Sequence, residues 1–429
     1  MELVFHGVDV KCNWVLTSGL GHGERLGLVG ELGWLARELH TQMIGALSPR
    51  FPLAPNATPV HDEPMQGEEL RHIVETYERF GIHRAGTEVD RAVVDWMEGR
   101  FAALGLSTTR IDAPFDRYVT ESTLTADGVE IDHLPFFYEW TGSIDTTDVE
   151  VVLADAHAGG RDHDLDHTTD AAATAALVIA TEHPDGSLVA VNREARAHDG
   201  RPTVLVAGRD HAQLNAADTV RLRLDAWIEP ALTTNLEARN DLEGPPLLIT
   251  TPLTGWFGCA GERGTGVAVL LDLVERFADR PLLVLATGGH ELDYLGVRQW
   301  VAARRAEHGE RPVAVIHVGA SIAVDEPADD GSRHLIPTRL AMTDAGGESA
   351  ERIGAALEPA AFSFRPETAS WLGESEVFCD LDVPMLSFTG SGVAFHTPED
   401  TTAQVTSAAS LTLVADAVAN AVDALLDGI

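Results

Sequence analysis

Two carboxylates and one imidazole in the middle of the chain stand where chemistry is commonly done. Glu262 lies in the glycine-rich stretch CAGERGTG, and His290–Glu291 follows Gly288–Gly289. Each group comes after a short apolar run, Leu247–Thr250 or Leu282–Ala286, of the length and composition of a buried strand. Gly264–Thr265–Gly266 opens a helix carrying Val267, Leu270, Leu271, Val274 and Phe277 at helical spacing. Strand, helix, strand, helix is a parallel α/β unit, and open α/β sheets hold ligands at the carboxyl ends of their strands. An imidazole there can shuttle protons near neutrality. Carboxylates and imidazoles are also adequate zinc ligands.

The elements that must position these groups can be read on both sides. Glu68–Phe80 and Glu88–Leu104 read as helices around the turn GIHRAGTEVD. There His83 and Arg84 either point into a site or serve the turn itself. Strands are expected at Ile111–Tyr118, Val119–Leu124, Val149–Leu153, Leu188–Val191, Thr203–Ala207 and Val220–Ala226, the last alternating with period two. The stretch HAGGRDHDLDHTTD, His157–Asp170, is either metal-binding or, as Asp-His alternation among glycines favours, a solvated loop. Beyond Asn235 the α/β rhythm resumes, with strands at Val313–Val318 and Met385–Phe388. A long amphipathic helix is expected at Thr402–Leu426. Residues 1–64 offer only a possible helix at Trp34–Leu47 and a proline-rich linker.

Composition narrows the function classes. The 429 residues carry a formal charge of −37 with a single lysine, Lys11. Such a surface repels nucleic acid and anionic membranes; it fits a soluble acidic enzyme or adaptation to high salt. Cys12, Cys259 and Cys379 are too few and too far apart for a disulfide framework or a zinc finger. The start, MELVFHGVDVKCNW, lacks the pattern of a secretory signal. No run reaches the roughly 18–20 apolar residues of a membrane span. A cytoplasmic protein is the expectation.

Three segments, in order, resemble those of the zinc aminopeptidase superfamily, which includes glutamate carboxypeptidases, the transferrin receptor and glutaminyl cyclases. CAGERGTGVAVLLDL resembles its Asp-Asn-Gly-Ser-Gly element, LLVLATGGHELDYLG its strand ending in a Glu-Glu pair, and VAFHTPEDT its terminal His-Thr-x-x-Asp element. GIHRAGTEVDRAVVDWMEGRFAALGL is similar to its first helix, and TVLVAGRDHAQL to part of the protease-associated domain that many members carry. The likeness runs from about Gln66 to the C-terminus.

The resemblance implies an α/β fold with a mixed, mainly parallel central sheet flanked by helices, built from residues 66–115 and 236–429. A β-rich, protease-associated-like insert is expected at 116–235, after an N-terminal extension and linker at 1–65. In the family two zinc ions share a bridging Asp, and the first Glu of the pair is the general base. Here Glu262 stands at the bridge, Glu291 at the metal-binding Glu and His396 at the terminal His. These imply one Zn ion, comparable to the single-zinc set of glutaminyl cyclases.

The departures fall on the other ligands. The His-x-Asp position falls on Thr251–Pro252–Leu253, and His317 is nearest to the later Asp. His290 replaces the catalytic Glu, as a base, a fourth ligand or a buried structural histidine. Arg263 replaces an Asn and would repel a second cation. Arg263, Trp256 and Phe395 are candidate substrate contacts; for the aromatics, with Phe257 and Trp371, core packing is the alternative. The implied function is an aminopeptidase-like metal-dependent hydrolase of peptide or amino-acid amide substrates, with homo-oligomers left open. The alternatives are a repurposed binding protein or a one-metal acyl-transfer enzyme.

Overall fold

The computed structural model describes residues 65–155, 174–307, 311–328 and 330–429. The stretches expected at Trp34–Leu47 and His157–Asp170 lie outside the described residues. The apolar runs around Glu262 and His290 form strands Leu247–Pro252 and Leu282–Thr287, every residue buried, as expected of strands covered on both faces. Leu247–Pro252 pairs in parallel with Leu282–Thr287 on one side and with Ala314–Val318 on the other. The chain therefore reverses its direction of travel across the sheet at Leu247–Pro252, and the crevice beyond the carboxyl ends lies there.

Around this parallel centre the sheet is mixed. Met385–Thr389 is parallel to Ala314–Val318, Leu340–Thr343 runs antiparallel to Met385–Thr389, and Ser363–Arg365 closes that edge. On the other side Val220–Arg239 runs antiparallel to Leu282–Thr287 and pairs along its whole length with Ser107–Ala126. Among the described residues the sheet has ten strands. Helices Gly67–Glu78, Thr265–Arg276 and Ala408–Leu426 cover one face with a continuous apolar core. Leu295–Glu307 and the turn Ser375–Phe378 cover the other, around Trp300 and Phe378. The fold is the expected mixed α/β sheet flanked by helices.

The boundaries expected for the insert, 116 and 235, fall inside long strands. Ser107–Ala126 and Val220–Arg239 are each 20 residues long and run unbroken through those positions as a ribbon continuous with the central sheet. Period-two alternation cannot mark where a long strand leaves one layer for another. The separate sheet is smaller: His133–Pro135, Thr203–Ala207, Ala176–Glu182 and Val149–Asp155, in that order. It packs on the ribbon through Val178, Val204 and Val206 against Leu124, Leu222 and Leu224. Leu188–Val191, expected as a strand, is buried irregular chain.

The long C-terminal helix is divided. Thr402–Val405 is one short turn, Thr406 is extended, and Ser407 caps Ala408–Leu426 by accepting from the Ser410 N–H. The longer helix is apolar enough in composition to cross a membrane, but Leu411, Val414, Val418 and Val422 are buried in the core.

Close approach of Thr265–Arg276 to the sheet depends on Gly266. A Cβ there would lie 2.9 Å from the Gly319 carbonyl oxygen and 3.0 Å from Thr251 Oγ1. Gly→Ala in a helix interior ordinarily gains up to about 1 kcal/mol, whereas overpacking costs about 1–3 kcal/mol. Gly266→Ala is therefore expected to lower the urea midpoint despite its better propensity. An unchanged or raised midpoint contradicts this packing.

Candidate functional site

After strand Leu247–Pro252 the chain makes a tight approach to a π-helical turn, Ala260–Gly264, through Phe257 at φ +52° and Cys259 at φ +33°. π turns and left-handed non-glycine residues concentrate at functional sites, where surrounding contacts must hold them. Asp400, in the FHTPEDT segment, holds this one. Its two oxygens accept the N–H groups of Gly261 at 2.7 Å and Glu262 at 2.9 Å. Burial pushes the Asp400 carboxyl up to about 7 against the pull of those two donors.

The turn delivers Glu262 and Arg263 side by side, each 1% exposed. Arg263 Nη2 lies 2.7 Å from Glu262 Oε1, and Arg263 Nε donates to the Thr254 carbonyl at 2.8 Å. His396 Nε2 approaches the same Glu262 oxygen at 3.1 Å. Burial alone would raise the Glu262 carboxyl, but Arg263 and then His396 outweigh it and bring it down to about 2. His396 itself sits at φ +60° and is held by reciprocal contacts with Ala190: the Ala190 N–H donates to its carbonyl at 2.9 Å, and its Nδ1 donates to the Ala190 carbonyl at 3.0 Å.

Glu291 is committed elsewhere. Its Oε1 accepts from the Ala85 N–H at 2.8 Å, its Oε2 from the Thr254 hydroxyl at 2.7 Å, and Arg84 Nε stands 3.6 Å from Oε1. The Arg84 guanidinium lies over the rings of both Phe137 and Trp256, 3.7 and 4.0 Å from their centroids. Thr254 links the two halves: its carbonyl takes Arg263, its hydroxyl donates to Glu291 and accepts the His290 N–H at 3.0 Å.

His290 and His317 complete the cluster with a residue that the sequence reading did not single out. His290 Nδ1 faces Glu374 Oε1 at 3.1 Å, and Glu374 also accepts from the Thr287 hydroxyl at 2.8 Å. Glu374 is fully buried, and burial raises its carboxyl. It stands in WLGESEVF, at the mouth of a four-residue helix too short to give a periodic signal. Burial, joined by the Arg263 charge, lowers His290 well below the usual histidine range. Burial lowers His317 to about 4, with Glu374 opposing and His290 and Arg263 adding to the fall.

Glu262, Arg263, His290, His317 and His396 thus share one electrostatic environment, with Glu291 joined through Thr254. Trp256 covers Arg84 and donates to Asn192 Oδ1 at 2.7 Å. Phe395 stacks on His396 with ring centroids 4.2 Å apart. Both aromatics are engaged with neighbours.

The single-zinc set implied by Glu262, Glu291, His396 and His317 does not fit this arrangement. The 3.1 Å between His396 Nε2 and Glu262 Oε1 would suit two donors sharing an ion at about 2.0–2.2 Å each. However, the Arg263 guanidinium already stands at that oxygen, and both oxygens of Glu291 are spent on backbone and hydroxyl donors. Among the described residues no group of three or more His, Cys, Asp or Glu side chains is disposed to hold a metal. At the Glu262 oxygen that the implied zinc set would use, the Arg263 guanidinium stands 2.7 Å away.

No protein-family model and no curated protein matches the sequence. Solved structures do match. A zinc aminopeptidase from Bacillus subtilis superposes with a TM-score of 0.64 at 14% identity, over 84% of this chain and 95% of its own. A Peptidase M28 precursor from Shewanella amazonensis SB2B gives 0.58 at 17%, covering 84% and 95%. An aminopeptidase from Aneurinibacillus sp. strain AM-1 gives 0.54 at 16%, covering 83% and 93%. The chain has the zinc aminopeptidase superfamily fold. Within this fold the cluster carries two histidines that burial lowers, His290 and His317, and this gives a testable pH dependence.

His317 is buried and its Nδ1 has no hydrogen-bond partner. A histidine at about 4 in the folded state binds fewer protons than the unfolded chain between about pH 4 and 6.5. Its contribution therefore costs stability as pH falls through that window. His317→Phe removes it, so the stability of the variant relative to wild type is expected to rise by about 3 kcal/mol from pH 7.5 to pH 4. A difference independent of pH contradicts a buried, neutral His317.

Proposed function

We propose that this chain is a repurposed relative of the aminopeptidases: a protein that recognises peptides or amino-acid amides without zinc-dependent cleavage. One observation carries the reading, the buried Arg263 guanidinium 2.7 Å from Glu262, the residue in the bridging position. Two unit charges about 4 Å apart at an effective dielectric of about 20 interact by about 4 kcal/mol, and a divalent ion doubles that repulsion. Driving Arg263 out instead leaves a buried charge without its partner, which costs about 3–5 kcal/mol. Either cost takes a large share of the binding energy that two or three side chains give to zinc.

The choice of ligand class rests on the solved relatives, which are named as aminopeptidases. A second reading, a hydrolase with one zinc on Glu262, Glu291 and His396, draws on the approach of His396 to Glu262. It requires Arg263 to withdraw and Glu291 to release Thr254.

Metal content separates the two readings. Wild-type protein equilibrated with micromolar zinc and dialysed is expected to retain far less than one ion per chain by elemental analysis. It is expected to show no zinc-dependent hydrolysis of aminoacyl anilides. One zinc per chain, lost in His396→Ala and accompanied by hydrolysis, would overturn the proposal in favour of the hydrolase.

A further inference from the structure

The smaller sheet ends in an open border. Its inner strands, Ala176–Glu182 and Thr203–Ala207, are buried almost throughout, and one border is the short strand His133–Pro135. The other border is Val149–Asp155, of sequence VEVVLAD. Among the described residues it pairs on one side only, in parallel with Ala176–Glu182. None of its residues is fully buried, and Leu153 keeps 45% exposure. An apolar edge strand offers its outward N–H and C=O groups to any extended chain, and proteins usually blunt it with proline, lysine or a bulge. Val149–Asp155 has neither residue, and its register runs unbroken.

A cavity of about 340 Å³ opens beside the first half of this strand. Val149, Val151, Leu214 and Val220 line it, together with the exposed Asp218. The N–H groups of Asp218 and Thr219 donate to Asp127 at 3.2 and 2.9 Å, which fixes this rim. Among the described residues no Lys or Arg lines the cavity. Cross-strand neighbours share a face of a sheet. A strand added at the open border therefore places every second side chain beside Val149 and Val151, at the cavity, and the alternate ones beside Glu150. A long methylene stem ending in a cation suits apolar walls with a carboxylate at the rim. We propose that Val149–Asp155 is a docking edge for an extended basic peptide, which adds a strand there and seats an arginine or lysine stem in the cavity with its charge toward Asp218. A second copy of this chain is a poorer occupant, because it brings the same acidic strand and a formal charge of −37 against its like. The site lies on the smaller sheet, and the inference does not depend on the metal-free reading above.

Calorimetric titration of the full chain with an acetylated, amidated hexapeptide of alternating Arg and Val tests this. One peptide per chain is expected to bind. Methylating every backbone nitrogen of the peptide keeps its charge and removes its N–H donors, so it should weaken binding by about tenfold or more. The exposed and half-buried pair Asp218→Arg and Glu150→Arg should also weaken it by about tenfold, with an unchanged thermal melt. Amide exchange should slow within Val149–Asp155 when the peptide is added; this locates the site even if the double variant fails to fold. Equal binding of the methylated peptide would mean attraction to bulk charge alone and would overturn the proposal. Binding that leaves Val149–Asp155 unprotected, no binding at all, or sedimentation showing that the chain pairs with itself through this strand would overturn it too.

Discussion

A guanidinium fixed beside a carboxylate at 1% exposure constrains everything near it. Neither charge can be left alone in that interior, so the two must be delivered together and held together. The chain does so by placing them on consecutive residues of a π turn whose amides are gripped by Asp400. Thr254, just past the end of strand Leu247–Pro252, then ties Arg263 to Glu291 and His290. The parallel strands supply the crevice, as in any open α/β sheet. What fills it is a network of ion pairs and imidazoles.

The chain segment between strands Ala176–Glu182 and Thr203–Ala207 of the smaller sheet takes part in closing that network. Ala190 pairs with His396 in both directions, the Arg193 N–H donates to the Glu291 carbonyl at 3.2 Å, and Asn192 accepts from Trp256. These contacts offset the left-handed backbone of His396 and hold Trp256 over Arg84. The same closure removes water from the cluster. Desolvation is accordingly the first cause of the shifts at Asp400, Glu374, His290 and His317.

Much of the fold was legible because long apolar runs and helical spacing are local signals. Leu247–Pro252, Leu282–Thr287 and Thr265–Arg276 lie where their patterns place them. The ribbon Ser107–Ala126 with Val220–Arg239 was not, since alternation says that a strand is half-buried but not which layer it joins. At the site, residue types and spacing brought Glu262, His290 and Glu291 into view, and the family resemblance brought His317 and His396. The partners that decide their roles are distant in sequence: Glu374 lies 84 residues from His290, and Ala85 lies 206 from Glu291. Arg263 was visible, but its ion pair with its neighbour depends on the turn's geometry, which no propensity encodes.

The central claim is that Arg263 and Glu262 stabilise the fold as one unit. A double-mutant cycle on Glu262→Gln and Arg263→Met, read by chemical denaturation in chelator, measures that directly. Each single change should cost about 3–5 kcal/mol by leaving its partner charged and alone. The double change should cost much less than their sum, a coupling of about 2–3 kcal/mol. Costs that add to within about 0.5 kcal/mol would mean that the two residues act independently, and would contradict the account.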